Sequence, residues 1–113
     1  MQRGEVWWLE RDSSVPALGS VGEGASRRPV VIVSNNAANR NLNRVVVVPL
    51  SANGERQYPG EARVTVSDQC FKVSTDQIAA VPKTTLSRLM GELSKADMQA
   101  VDDALQIHLA LPR

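Results

Sequence analysis

The chain has 113 residues, a net charge of +1, one cysteine and one histidine. That length suits a single core and hence one domain, 1–113, and the near-balanced charge argues against a protein that coats nucleic acid through an overall basic field. Cys70 and His108 alone cannot build an internal disulfide or a Cys/His zinc site, so neither metal nor cofactor is expected.

Taken in chain order, "MQRGEVWW" lacks the apolar stretch of a signal peptide. "EVWWLE" (5–10) reads as a strand, in which Trp7 and Trp8 face opposite sides. The segment 11–27 has no periodicity and holds Gly19, Gly22 and Gly24, which makes it a long loop and a candidate lid beside Arg28. "PVVIVS" (29–34) and "RVVVVPL" (44–50) read as buried strands around a linker rich in asparagine. Val45 to Leu50 is the longest apolar run, far below the ~20 residues that span a bilayer, so a cytoplasmic protein with no membrane partner is expected.

Residues 26–44 carry Arg27, Arg28, Arg40 and Arg44 without an acid, a localised anion-facing patch. "EARVTV" (61–66) and "QIAAVP" (77–82) supply further strands, and "TTLSRLMGEL" (84–93) a helical turn followed by a short strand. From Ser94 the pattern changes to Met98, Val101, Leu105 and Leu109, the spacing of an amphipathic helix, with Ser94 and Asp97 in capping-box positions. The connections suit an antiparallel meander better than crossovers through helices. The fold class that follows is mainly β with a C-terminal helix, a small curled sheet or barrel that leaves few open edges.

The ordered set "RGEVWW", Gly19-Ser20, "RRPVVIVSNNAAN", "VVVVPLS", Tyr58-Pro59, "TDQI", "GELS" and the terminal helix resembles the MazF/PemK toxins of bacterial toxin–antitoxin systems over nearly the whole chain. The resemblance implies an SH3-like antiparallel barrel and a homodimer. It also implies a sequence-selective, metal-independent endoribonuclease acting on single-stranded RNA, which inhibits translation and growth. A cognate antitoxin neutralises such toxins, and the pair together binds DNA.

Cleavage of this kind uses the 2′-OH as nucleophile and leaves 2′,3′-cyclic phosphate and 5′-OH ends, so proton transfer and stabilisation of phosphoryl charge are needed. Arg28 matches the family's principal catalytic arginine, and its guanidinium fork fits phosphate geometry. Ser51 stands where the family usually has threonine: the hydroxyl is kept and the rotamer-restricting methyl is lost. Ser20, by resemblance, and Arg27, Asn36 and Asn53 are the candidate RNA-binding residues, since amides can read base edges and 2′-OH groups while other asparagines serve turns. The general base stays open. Two alternatives share the fold: a toxin that binds DNA gyrase, and a catalytically silent RNA- or protein-binding barrel.

Overall fold

The computed structural model describes residues 1–10, 27–52 and 61–112. Among them seven strands form a curled antiparallel sheet: β1 (Glu5–Glu10), β2 (Arg27–Ile32), β3 (Arg44–Ala52), β4 (Glu61–Val66), β5 (Gln69–Ser74), β6 (Ala79–Pro82) and β7 (Leu86–Glu92). A short helix, α1 (Asn36–Asn41), joins β2 to β3, and α2 (Lys95–His108) follows β7. The order across the sheet is β4-β5-β3-β2-β1-β7, with β6 paired to β3. Strand β3 is the hub. Its first half pairs with β6 through Val45 and Val46, its middle with β2 through Val47, Val48 and Pro49, and its last residues with β5 through Leu50 and Ser51.

The continuous valine run of β3 reflects burial on both faces. Val48 and Leu50 enter a core with Val6, Val31, Val73 and Val101, beneath α2. Val45 and Val47 point the other way, into a cluster with Leu9, Val30, Ile32, Val81 and Leu86. A strand with one face in water would alternate apolar and polar residues, whereas a strand covered twice has no reason to. Each fully buried valine contributes on the order of 1.5–3 kcal/mol relative to exposure, so this double burial anchors the centre of the sheet.

The sheet curls until its ends approach each other, giving the half-barrel that the sequence pattern predicts. The Ser67 hydroxyl donates to the Met90 carbonyl at 3.2 Å, and a Cβ at Gly91 would meet Val66 at 2.9 Å. Only a residue without a side chain lets β7 come this close to β4. Ser67 and Asp68, both at positive φ, form the tight turn between β4 and β5, the geometry that matches strand twist in two-residue hairpins.

Several sequence expectations are corrected. The strand after Arg28 begins two residues earlier, at Arg27, and ends at Ile32. The asparagine-rich linker contains a helix. A further strand, β5, follows the β4–β5 turn, and residues Thr75–Gln77, expected in part as the start of a strand, form a 3-10 turn ahead of β6. The helix after Ser94 is present with its cap: Ser94 Oγ accepts from the Asp97 N–H at 3.1 Å. The reciprocal half of the capping box is absent, because Asp97 Oδ2 accepts instead from the Thr65 N–H of β4 at 3.0 Å and pins the helix to the sheet. Val101 and Leu105 are buried as their spacing predicts, but Leu109, just beyond the helix, is 44% exposed.

Candidate functional site

Arg28 and Ser51 lie 23 residues apart and meet through strand register. Proline at 29 restricts Arg28 to extended backbone, so the arginine opens β2 rather than a turn. In the β2–β3 ladder Val30 stands opposite Pro49 and Val31 opposite Val48, and two more residues along this register bring Arg28 opposite Ser51. Arg28 Nη2 donates to Ser51 Oγ at 3.4 Å, and Ser51 Oγ lies 3.4 Å from the buried Ser74 Oγ on β5. On its other side Arg28 is opposite Leu9 of β1.

Half-buried beside that leucine, Arg28 has its pKa lowered from the ordinary arginine value by desolvation. The guanidinium nevertheless remains a cation at neutral pH, because arginine starts so far above it. A cation that has lost part of its hydration gains more from an anion than one fully in water, and its planar fork suits phosphate oxygens. The contact to Ser51 is long for a hydrogen bond, so a phosphate oxygen placed between the two groups would improve the geometry of both.

The other sequence candidates are placed differently. Arg27 follows the alternation of the strand to the opposite face, where its guanidinium carbon sits 4.9 Å from the centroid of the Trp8 ring. Asn36 begins α1 beyond the far end of β2. The strand carries it away from Arg28 by about 13 Å between Arg28 and Ile32 alone, at ~3.3 Å per residue. There its Oδ1 accepts from the Arg3 N–H at 2.7 Å and from Asn39 Nδ2 at 3.4 Å. Ser20 and Asn53 lie outside the described residues, as do Tyr58 and the loop 11–26. Trp7 packs against the Leu9–Val30 cluster, with its indole N–H donating to Glu5 at 3.0 Å.

The structure also brings in residues that the sequence reading left aside. Ser74 touches Ser51, and Lys72 stands opposite Ser51 in the β3–β5 ladder. Both belong to β5, whose polar–apolar alternation, Cys70-Phe71-Lys72-Val73-Ser74, was the available signal. A separate concavity of about 520 Å³ lies beside α2, lined by residues including Arg3, Val46, Ile78, Asp102 and Leu109. It shares no lining residue with the Arg28–Ser51 pair.

Comparison with known proteins agrees along the full length. The profile of the PemK-like, MazF-like toxins of type II toxin–antitoxin systems matches residues 2–109. Endoribonuclease MazF9 of Mycobacterium tuberculosis is 33% identical over 120 residues, covering 98% of both chains. Endoribonuclease MazF4 of the same organism is 36% identical over 90 residues, covering 79% of this chain and 85% of its own. A mycobacterial endoribonuclease solved in complex with its cognate antitoxin superposes with a TM-score of 0.80 at 32% identity, covering 100% of this chain and 98% of that one.

Proposed function

We propose that this chain, which belongs to the PemK-like, MazF-like toxin family, is an endoribonuclease toxin restrained by a cognate antitoxin, with Arg28 and Ser51 at the centre of its active site. The observation that carries the assignment of the site is the approach of Arg28 Nη2 to Ser51 Oγ at 3.4 Å on adjacent strands.

The reaction is transesterification within single-stranded RNA. The 2′-oxygen attacks the adjacent phosphorus, the bond from phosphorus to the 5′-oxygen breaks, and the products are a 2′,3′-cyclic phosphate and a 5′-OH. The proton leaves the 2′-OH for a base, and the departing 5′-oxygen takes one up. Arg28 stabilises the negative charge that builds on the phosphoryl oxygens, and its lowered pKa makes it a better proton donor than an ordinary arginine. Ser51 donates its hydroxyl to a phosphoryl oxygen, and Ser74 limits how that hydroxyl rotates. The mechanism needs no metal, because a guanidinium and a hydroxyl supply the electrostatic stabilisation that an ion otherwise would.

The toxin acts in the cytoplasm as a homodimer, selecting a short RNA sequence and thereby arresting translation and growth. The exposed Ile107, Leu109 and Leu111 after the buried part of α2 are an apolar surface suited to a second subunit. An acidic antitoxin segment binds across the cationic site and excludes RNA, and the toxin–antitoxin pair binds DNA together.

The test is incubation of purified protein with single-stranded RNA in excess EDTA, with sequencing of the ends. Cuts at a recurrent motif with 2′,3′-cyclic phosphate and 5′-OH termini are expected. Intact RNA together with gyrase-dependent DNA breaks would replace the nuclease by a gyrase-directed toxin.

A further inference from the structure

The strand registers align more than the Arg28–Ser51 pair. Lys72 of β5 stands opposite Ser51, and Arg63 of β4 stands opposite Lys72. With Leu9 opposite Arg28 and Leu86 opposite Leu9, one row crosses the sheet as Leu86, Leu9, Arg28, Ser51, Lys72, Arg63. Residues opposite one another in a ladder project from the same face, so the row is a physical line of side chains with a step of ~4.8 Å between strands. Its composition is one-sided. From Arg28 toward β7 it is apolar and buried, and from Arg28 toward β4 it is a hydroxyl and two further cations, both half-buried.

We infer that Lys72 and Arg63 form a subsite for the backbone phosphates on one side only of the cleaved bond, so that bound RNA crosses the strands from β2 through β3 and β5 to β4. The inference rests on the nuclease reading, since it takes the scissile phosphate to lie at Arg28 and Ser51. The row is stiff where it matters. Val64 and Val73, the neighbours of Arg63 and Lys72 on the opposite face, are anchored in the core under α2. Both cations are half-buried, as long side chains are when their stems run along the sheet. On the other side, Leu9 and Leu86 of the same row present nothing for a phosphate to bind, so among the described residues of the row the additional cations lie on one side only.

The experiment measures binding of RNA carrying a 2′-O-methyl group at the mapped cleavage position, which removes the nucleophile, over a series of salt concentrations. Each phosphate contact to a single strand contributes about 0.7 to the slope of log K against log salt. Lys72→Gln and Arg63→Gln should each lower the slope by about 0.7, and the double variant by about twice that, with affinity weakened alike for all flanking sequences. Arg88→Gln, the same charge change on β7, should keep the wild-type slope. Wild-type affinity should rise when the RNA is lengthened on one side of the cleaved bond, and the double variant should lose that gain. Lys72→Arg and Arg63→Lys, which keep charge, should restore the slope and so separate phosphate binding from any effect on folding. Gln variants that keep the wild-type slope and the length effect overturn the subsite while leaving a wild-type nuclease intact. A wild-type protein that neither binds nor cuts RNA overturns the nuclease reading along with it.

Discussion

Two polar clusters occupy the two ends of β2, and they differ in how tightly their hydrogen bonds close. At the end near α1, Asn39 is 2% exposed and its amide is used fully: Nδ2 donates to the Ser34 carbonyl at 2.9 Å, while the Ser34 hydroxyl donates to Asn39 Oδ1. The same hydroxyl oxygen accepts from the Val46 N–H at 3.0 Å, Asn35 caps α1 by accepting from Ala38 N–H at 2.8 Å, and Asn36 accepts from Arg3. Arg3 then continues the network to the Val33 carbonyl at 2.9 Å and to Asp102 of α2 at 2.5 Å. At the other end, Arg28, Ser51 and Ser74 are linked by two 3.4 Å contacts beside a desolvated guanidinium. Both clusters use the residue types of an RNA-reading patch. Short, closed hydrogen bonds mark the cluster that holds the fold together, and a desolvated cation beside two hydroxyls is the one suited to an anionic ligand.

The strongest way to break this contrast is Arg28→Ala. Loss of one preorganised charged donor should cost about 3 kcal/mol of transition-state stabilisation, on the order of a hundredfold in cleavage rate, with little change in thermal melting. Arg28→Lys should rescue poorly, because an ammonium lacks the fork. A wild-type rate in single-turnover cleavage by Arg28→Ala would remove the arginine from the mechanism.

Asn39→Ala tests the opposite end with the opposite signature. Leaving buried partners unsatisfied should cost about 1–3 kcal/mol of folding stability in a urea titration, while the folded fraction cleaves at the normal rate. Stability equal to wild type would show that the closed network is not structural.

Smaller again is the effect expected at Ser51. Removing one neutral hydrogen bond in Ser51→Ala should slow cleavage by a few-fold to about tenfold, from ~0.5–1.5 kcal/mol, and Ser51→Thr should match or exceed wild type by restricting the rotamer. Equal rates for alanine and serine would leave the hydroxyl without a part in the reaction.

The smallest change belongs to Asn36→Ala, whose Oδ1 is already occupied by the exposed turn at Arg3. About 0.5–1 kcal/mol of stability should be lost, with the KM for RNA unaltered. A raised KM at unchanged stability would return Asn36 to the RNA-binding surface.

Much of this protein is local chemistry and was therefore legible in the sequence. Strands β1, β3 and β4 declare themselves through runs of β-branched and aromatic residues, and α2 through Ser94 and the spacing of Val101 and Leu105, because these depend on neighbours a few residues away. The residue types needed for phosphate chemistry, Arg28 ahead of a proline and a hydroxyl at Ser51, are likewise written in the chain. What only the tertiary structure decided is which of the polar residues share a face. Strand β5 was obscured because its apolar positions are only Phe71 and Val73, and without it neither Ser74 nor Lys72 has a place. Alternation separates Arg27 from Arg28, α1 turns Asn39 inward to Ser34 and ties the exposed Asn36 to Arg3, and pairing of β2 with β3 and of β3 with β5 assembles Arg28, Ser51, Lys72 and Ser74 from three strands. Register is set by the burial of whole strands on both faces and by the turns that join them, so a one-residue slip would send every one of these side chains to the other side of the sheet, and no local stretch of sequence encodes it.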